Sequence, residues 1–277
     1  MSDMFSKAPA FYTDLMSERQ RACGEGIDFK RSSGGVGVWE RIHVMSDSAA
    51  ERIGRPVGHY HTFNVQGLDM IDSYDAEDIA EEIASELWHL CEFSALVPKK
   101  LLVAGLGNEE LTPDSLGPLA AKKIEATMHL RASMPEMFAA LGCIEIAVIR
   151  PGVVAQSGIE SYECIMALCE RLKPDAVIAI DALCAESETR LGCTVQLSDT
   201  GIFPGSGVGN PRGKITKDTV GCPVFSIGIP TVIDAGITSR RSPGERMLVT
   251  PRCINAIIST GSTIVADSVN RAFGVVR

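Results

Sequence analysis

KKLLVAGLGNEELTPDSLGP, residues 99–118, decides the fold. Leu101 to Ala104 form an unbroken apolar run, the pattern of a strand covered on both faces. Glycines at 105 and 107 end the run in a turn, and Pro118 suits the first turn of a helix read from GPLAAKKIEATMHL (117–130). The same alternation continues downstream. IEIAVIRPG (144–152), PDAVIAIDAL (174–183) and PVFSIGIPTVID (223–234) read as strands. GIESYECIMALCERL (158–172) and TPRCINAIISTGSTIVADSVNRAFG (250–274) read as helices, the last with Thr250 as cap and Pro251 at its first position. Strands alternating with helices predict an α/β fold: three layers, a mostly parallel sheet with helices on both faces.

Upstream, VWERIHVM (38–45) and HYHTFNV (59–65) alternate and add N-terminal strands. In the segment 75–97, Ile79, Ile83, Leu87 and Leu90 recur at helical spacing, and Asp75 is read as the N-cap. Residues 1–35 are polar and are expected to pack loosely, with one helix near 14–23. SRRSPGER (239–246) is expected to be an exposed loop.

The composition narrows the function. A hydrophobic fraction of 45% over 277 residues suffices for one sizeable core. A net charge of −9 argues against a nucleic-acid binder held by phosphate contacts. Nine scattered cysteines, none in C-x-x-C, fit a reduced, cytoplasmic setting, and the first twenty residues carry no apolar core of signal-peptide length. The longest apolar runs are strand-length, so no membrane partner is expected.

Chemistry in a parallel sheet belongs at the carboxyl ends of its strands. Two loops qualify, GLGNEELTPDSLGP after LLVA and DALCAESETR (181–190) after AVIAI, so Asp114 and Asp181 can face one another. A third loop, SDTGIFPGSGVGN (198–210), follows CTVQL and contains Asp-Thr-Gly. That tripeptide is also an ordinary turn, with Asp bonding its own backbone and Gly accepting positive φ, which is the preferred reading of Asp199. Glycines 205, 207 and 209 and Ser206 would offer backbone N–H groups to a substrate. Glu110 occupies the third glycine position of a dinucleotide fingerprint, where an acid would repel a pyrophosphate, which argues against that use of GLGNEE. Cys184 has no histidine beside it in sequence and reads as packing. His59 and His61, at i and i+2, share a strand face; the preferred reading is a strand edge and the competing one a metal pair. Arg150 and Arg190 suit either a carboxylate substrate or structural pairing, Asp234 is a candidate third acid, and Lys122 and Lys123 read as helix-surface charges.

GLGN-x3-TPD-x-LGP, IRPGV, GIE, KPD-x-VIAIDAL, SDTGI-x-PGSGVGN and GIPTVIDA occur in this order, and MLVTPRCINAIIS follows. The series closely resembles the germination (spore) protease family, whose members degrade small acid-soluble spore proteins. The resemblance implies an atypical aspartic-type endopeptidase on a fold akin to hydrogenase maturation proteases. It places the two essential aspartates at Asp114 and Asp181. Asn108, Asp199, Gly205, Ser206, Gly207 and Gly209 become site-wall or substrate-binding positions. Two carboxylates in one site cannot both ionise cheaply, so one is expected to hold a proton while the other takes one from water.

The resemblance further implies a zymogen that removes its own N-terminal segment, a homotetramer, and a place in the spore core. TDLMSE (13–18) matches the processing block, giving a cut between Asp14 and Leu15, a propeptide of residues 1–14, and one peptidase domain over 15–277 with its core in 98–277. No cofactor is expected; a divalent metal at Asp114 and Asp181, as in the maturation relatives, is the competing version. Two departures stand out. Phe203 sits where the family often has histidine, and the insertion that usually precedes the LVTP block is reduced to SRRSPGER.

Overall fold

The computed structural model describes residues 13–22, 24–205, 213–234 and 247–274. Their strands are β1 (Ile27–Ser33), β2 (Val38–Val44), β3 (Gly58–Asn64), β4 (Lys100–Gly105), β5 (Glu145–Ile149), β6 (Ala176–Ala185), β7 (Thr194–Ser198), β8 (Val224–Asp234) and β9 (Leu248–Val249). Their helices are α1 (Asp47–Ile53), α2 (Ser73–Phe93), α3 (Leu116–Ala121), α4 (Met128–Ser133), α5 (Pro135–Leu141), α6 (Val154–Ser157), α7 (Ser161–Leu172), α8 (Lys217–Val220) and α9 (Ile254–Phe273).

All the strands join one sheet, in the order β1-β2-β3-β7-β8-β6-β4-β5, with β9 on the end of β8. The half β8-β6-β4-β5 is parallel, as the alternation of strand and helix predicts. The other half is antiparallel: β1 and β2 form a hairpin, α1 joins β2 to β3, and β7 comes in between β3 and β8 from far along the chain.

Parity along the strands separates two cores. Leu101 and Val103 of β4, Ile178 and Ile180 of β6, and Phe225 and Ile227 of β8 pack under α2, α3 and α9. Their neighbours Leu102, Ala104, Val177, Ala179 and Val224 face the other way, against Ile165 and Cys169 of α7 and Val220 of α8. Burial on both faces is what makes these strands read as unbroken apolar runs.

Several local expectations need correcting. The N-cap of α2 is Asp72, which accepts from the N–H groups of Tyr74 and Asp75; Asp75 lies inside the first turn. The helix expected over 117–130 is broken after Ala121, and α4 starts anew at Met128. Thr250 does not cap α9, which begins at Ile254; its hydroxyl donates to Thr231 O instead. From Thr13 on, the described part of the N-terminal stretch is not loosely packed: Leu15 and Met16 are fully buried, a 3-10 helix spans Met16–Ala22, and β1 follows; residues 1–12 lie outside the described residues. The loop expected at 239–246 lies outside the described residues.

Helix α2 crosses the antiparallel half through one buried acid. Glu86 receives Arg41 Nε and Nη2 at 2.6 Å each, and His61 Nδ1 lies 2.6 Å away. Burial pushes its carboxyl up, but the Arg41 fork and then His61 outweigh that and hold it down at about 2, against 4.5 for the free group. A lowered folded pKa gives stability that is full above about 4.5 and is lost as pH falls towards about 2. Glu86→Gln is therefore expected to lower stability at neutral pH by about 2 kcal/mol, since solvent reaches part of the pair. Denaturant titrations should show the two proteins converging as pH falls through that window. A constant gap down to low pH would contradict this assignment.

Candidate active site

Asp181 interrupts an apolar series. Along β6, Val177, Ala179, Asp181 and Leu183 share one face of the strand, so the carboxylate replaces an apolar side chain on the α7 side of the sheet. The strand does not end there. It runs on to Ala185, so Asp181 lies within a strand rather than in the loop expected at 181–190. What ends at this level is β4, whose last residue Gly105 pairs with Ile180. The neighbouring strand is gone, and the side of β6 opens into space. Asp181 is 7% exposed and its Oδ1 accepts from Ala182 N–H at 2.9 Å.

Asp114 reaches the same place through the loop that follows β4. Leu106 N–H donates to Ile180 O at 2.8 Å, which lays the loop across β6 one residue before Asp181. The turn Thr112–Asp114 brings the chain back, and Asn108 N–H donates to Asp114 Oδ2 at 2.7 Å. Gly107, at φ 107°, backs directly on to Asp114 O, a close approach and a conformation that only glycine provides cheaply.

The two aspartates line one cleft of about 430 Å³, together with Leu111, Leu183, Gly205, Thr231 and Asp14. A smaller pocket of about 30 Å³ adjoins it on the β7 side and shares Asp14, Asp181, Leu183 and Gly205. Its floor follows from the register. Asp181 and Gln196 both pair with Gly228 of β8, from opposite sides, so their side chains rise on one face with a gap between them. At Gly228 a Cβ would meet Asp181 O and the Leu183 side chain, each at 2.7 Å.

The N-terminal segment crosses this floor. Asp14 pairs with Cys184 like an added strand residue, with Asp14 N–H to Cys184 O at 2.8 Å and Cys184 N–H to Asp14 Oδ2 at 3.0 Å. Gln196 brackets the next residue: its Nε2 donates to Asp14 O at 3.0 Å and its Oε1 accepts from Met16 N–H at 2.6 Å. Beyond it, Glu18 accepts from the N–H groups of Glu186 and Ser187 at 2.8 Å. The Asp14–Leu15 peptide thus lies at the cleft that holds Asp181 and Asp114.

The remaining sequence-selected residues fall in several places. Asp199 is engaged elsewhere, accepting from His59 N–H at 2.7 Å with His59 Nδ1 also at 2.7 Å; its neighbours Ser198, Thr200 and Gly201 line the smaller pocket. The Asn108 side chain holds its own turn, accepting from Glu110 N–H and Gln156 Nε2 at 3.0 Å each. Gly205 lines both cavities. Ser206, Gly207 and Gly209 lie outside the described residues. Arg150 and Lys122 both bind Glu109, and Arg190 binds Asn64 and Glu40. Lys123 donates to Ser262 and Thr263 of α9. Among the described residues, no three His, Cys, Asp or Glu side chains form a metal-holding group. His59 stacks between His43 and Phe93, and His61 faces Glu86.

Cys184 lies in the cleft wall, yet burial, then the carboxylates of Asp14, Asp234 and Glu18, push its thiol up to about 12. A thiol so raised stays protonated at neutral pH, which argues against a nucleophilic role. Cys184→Ala is expected to keep cleavage within about threefold of wild type; a loss of 100-fold or more would make it a participant.

The profile of the germination protease family matches residues 14–243. This chain belongs to the germination protease family. The germination protease of Bacillus cereus (strain B4264) is 40% identical over 237 residues, covering 82% of this chain and 64% of that protein. The germination protease of Bacillus anthracis (strain CDC 684 / NRRL 3495) is 40% identical over 235 residues, covering 81% and 62%. The chain therefore spans a little under two thirds of the length of these relatives. Among solved structures, the [NiFe] hydrogenase maturation protease HycI from Thermococcus kodakarensis KOD1 overlaps 62% of this chain and 94% of its own, at 16% identity and a TM-score of 0.35.

Three elements of this cleft were not picked out from sequence. Gln196 carried a signal, being a polar residue between Val195 and Leu197 in a buried strand. Arg55, inside GRPVG, carried none, because its partner lies 41 residues away. Gly228 looked like one more glycine in an apolar strand; only the register shows that it separates Asp181 from Gln196.

Proposed function

We propose that this chain is an endopeptidase in which Asp114 and Asp181 form the catalytic pair. We propose further that it is made as a zymogen that cuts its own Asp14–Leu15 bond, and that its substrates are small acid-soluble spore proteins. The observation that carries the reading is the position of Asp14–Leu15, held by Cys184 and Gln196 at the cleft both aspartates line. Family membership supports the class of reaction. Among the described residues, no helix is long and apolar enough to cross a membrane.

The chemistry is hydrolysis by a carboxyl pair. The ionised carboxylate takes a proton from water, and the hydroxyl adds to the Asp14 carbonyl carbon. The carboxylic acid partner gives its proton to the Leu15 nitrogen as the C–N bond breaks. One proton has entered the pair and one has left it, so it is ready for another turn with the two roles exchanged. Gln196 Nε2–H, already on the Asp14 carbonyl oxygen, is placed to stabilise the charge that develops there.

The test is incubation of the chain, once converted to the form that begins at Leu15, with a purified small acid-soluble spore protein, with and without a chelator. Discrete cuts that persist in chelator are expected. An untouched substrate would refute the peptidase reading, and activity lost to chelator and restored by a divalent ion would replace the carboxyl pair with a metal-assisted site.

A further inference from the structure

Strand β8 carries one residue more than β6 where the two border the cleft. Leu183 of β6 pairs with Pro230 and Cys184 with Val232, so Thr231 is an inserted residue, a β-bulge. Bulges re-aim side chains, and the alternation shows it: Phe225, Ile227 and Ile229 face α2, α3 and α9, whereas Ile233 beyond the bulge packs in the opposite core. Pro230 suits the place, since a bulge tolerates a residue without an N–H. The inserted side chain reaches the turn that carries Asp114. Thr231 is 1% exposed, and its Oγ1 donates at 2.7 Å to Pro113 O, the carbonyl of the peptide that leads into Asp114. The bulge is itself held: Thr250 Oγ1 donates to Thr231 O at 2.9 Å, and Gly192 N–H, just before β7, donates to Pro230 O at 3.0 Å. Within the turn, Asp114 N–H donates to Leu111 O at 2.8 Å and Asn108 N–H to Asp114 Oδ2 at 2.7 Å. These local bonds shape the turn, while the Thr231 hydroxyl ties it to the strand that pairs with Asp181 at Gly228.

We infer that Thr231 is a positioning residue for Asp114: the bulge in β8 aims its hydroxyl at Pro113 O, and that bond sets where the Asp114 carboxyl stands relative to Asp181. The inference rests on the peptidase reading above. Thr231, Pro113, Asp114 and Asp181 all line the one cleft, so a movement of the turn is felt directly at the pair. Groups that must pass protons to a water and an amide tolerate little displacement, and a misplacement of about 1 Å can cost about 100-fold in rate. Without the hydroxyl, Pro113 O loses its link to β8, and the turn keeps only its local bonds.

The experiment follows the full chain in wild type, Thr231→Val, Thr231→Ser and Thr231→Ala, each well below its thermal midpoint. Two quantities are read by mass spectrometry: the rate at which a Leu15 N-terminus appears, and amide hydrogen exchange over residues 106–116. Wild type against Val, and Ser against Ala, each remove the hydroxyl; the methyl is present in the first pair and absent from the second, so either pair alone suffices if a variant fails to fold. Loss of the hydroxyl is expected to slow cutting by about 10- to 100-fold in both pairs, and Thr231→Ser to stay within about threefold of wild type. Exchange over 106–116 is expected to quicken by about 10-fold in Val and Ala only, with β6 and β8 unchanged. Normal cutting by Val, or cutting by Ser as slow as by Ala, overturns the inference while Asp181-dependent cutting still upholds the peptidase reading. Slow cutting with unchanged exchange also overturns it, because the hydroxyl would then act on the substrate and not through Asp114. A wild-type chain that never yields the Leu15 terminus overturns both the peptidase reading and this role.

Discussion

Asp181→Asn is expected to lower peptide cleavage by about 10³-fold or more, and Asp114→Asn by a similar factor. The substitution keeps the shape and removes only the ability to take or give a proton. An asparagine at 181 can still accept from Ala182 N–H, and one at 114 can still accept from Asn108 N–H. Both variants should therefore fold with thermal midpoints close to wild type, which separates lost chemistry from lost structure. The double variant should be no slower than either single one, because a pair that passes protons between its members fails as a unit. Additive losses would mean that the two act on separate steps. Near-normal cleavage by either single variant would remove that residue from the machinery.

Gly117→Ala is expected to have the largest effect on the fold. Helix α3 sits directly on the sheet at the point where β4 ends. A methyl at 117 would press on the carbonyl oxygens of Leu106 and Ile180 and stand 2.6 Å from Leu106 N. These are backbone atoms, and Leu106 N–H and Ile180 O bond to each other, so neither side can yield without unpairing the loop from β6. Overpacking usually costs 1–3 kcal/mol; against rigid backbone we expect about 3 kcal/mol or more, a fall in thermal midpoint of roughly 10 °C. Asp114 lies three residues upstream, so activity should fall as well. Gly142→Ala is the control: no atom lies within 4 Å of its Cβ, and only its φ of 62° opposes the change, at about 1 kcal/mol. Equal losses in the two variants would mean that backbone freedom, not close approach, is what Gly117 supplies.

Much of this architecture was legible. The apolar runs at 101–104 and 176–180 announced strands buried on both faces, and the helices between them announced parallel pairing. Asp114 and Asp181 do line one cleft, as expected, but Asp181 lies inside β6, and it is β4 that ends at that level. The antiparallel half was less readable, because its placement depends on β7 inserting between β3 and β8, a pairing across 130 residues that no local pattern encodes. Asp199 shows the same limit: Asp-Thr-Gly identified a turn, but not that the turn points at His59. The N-terminal segment misled for another reason. Its polar residues suggested exposure, yet Thr13, Ser17 and Arg19 are buried; Arg19 donates to Thr13 O and Ile53 O, and Thr13 Oγ1 accepts from Leu15 N–H. Composition records which groups are polar, not whether partners wait for them.

The central claim is that the acid pair and the Asp14–Leu15 bond belong to one reacting centre. Intact mass spectra of the purified full-length chain and its Asp181→Asn counterpart, followed over time from mildly acidic to neutral pH, test it most directly. The wild type should convert to a species beginning at Leu15 while the variant keeps its mass. Conversion of both at the same rate, or a new terminus far from residue 15, would contradict it.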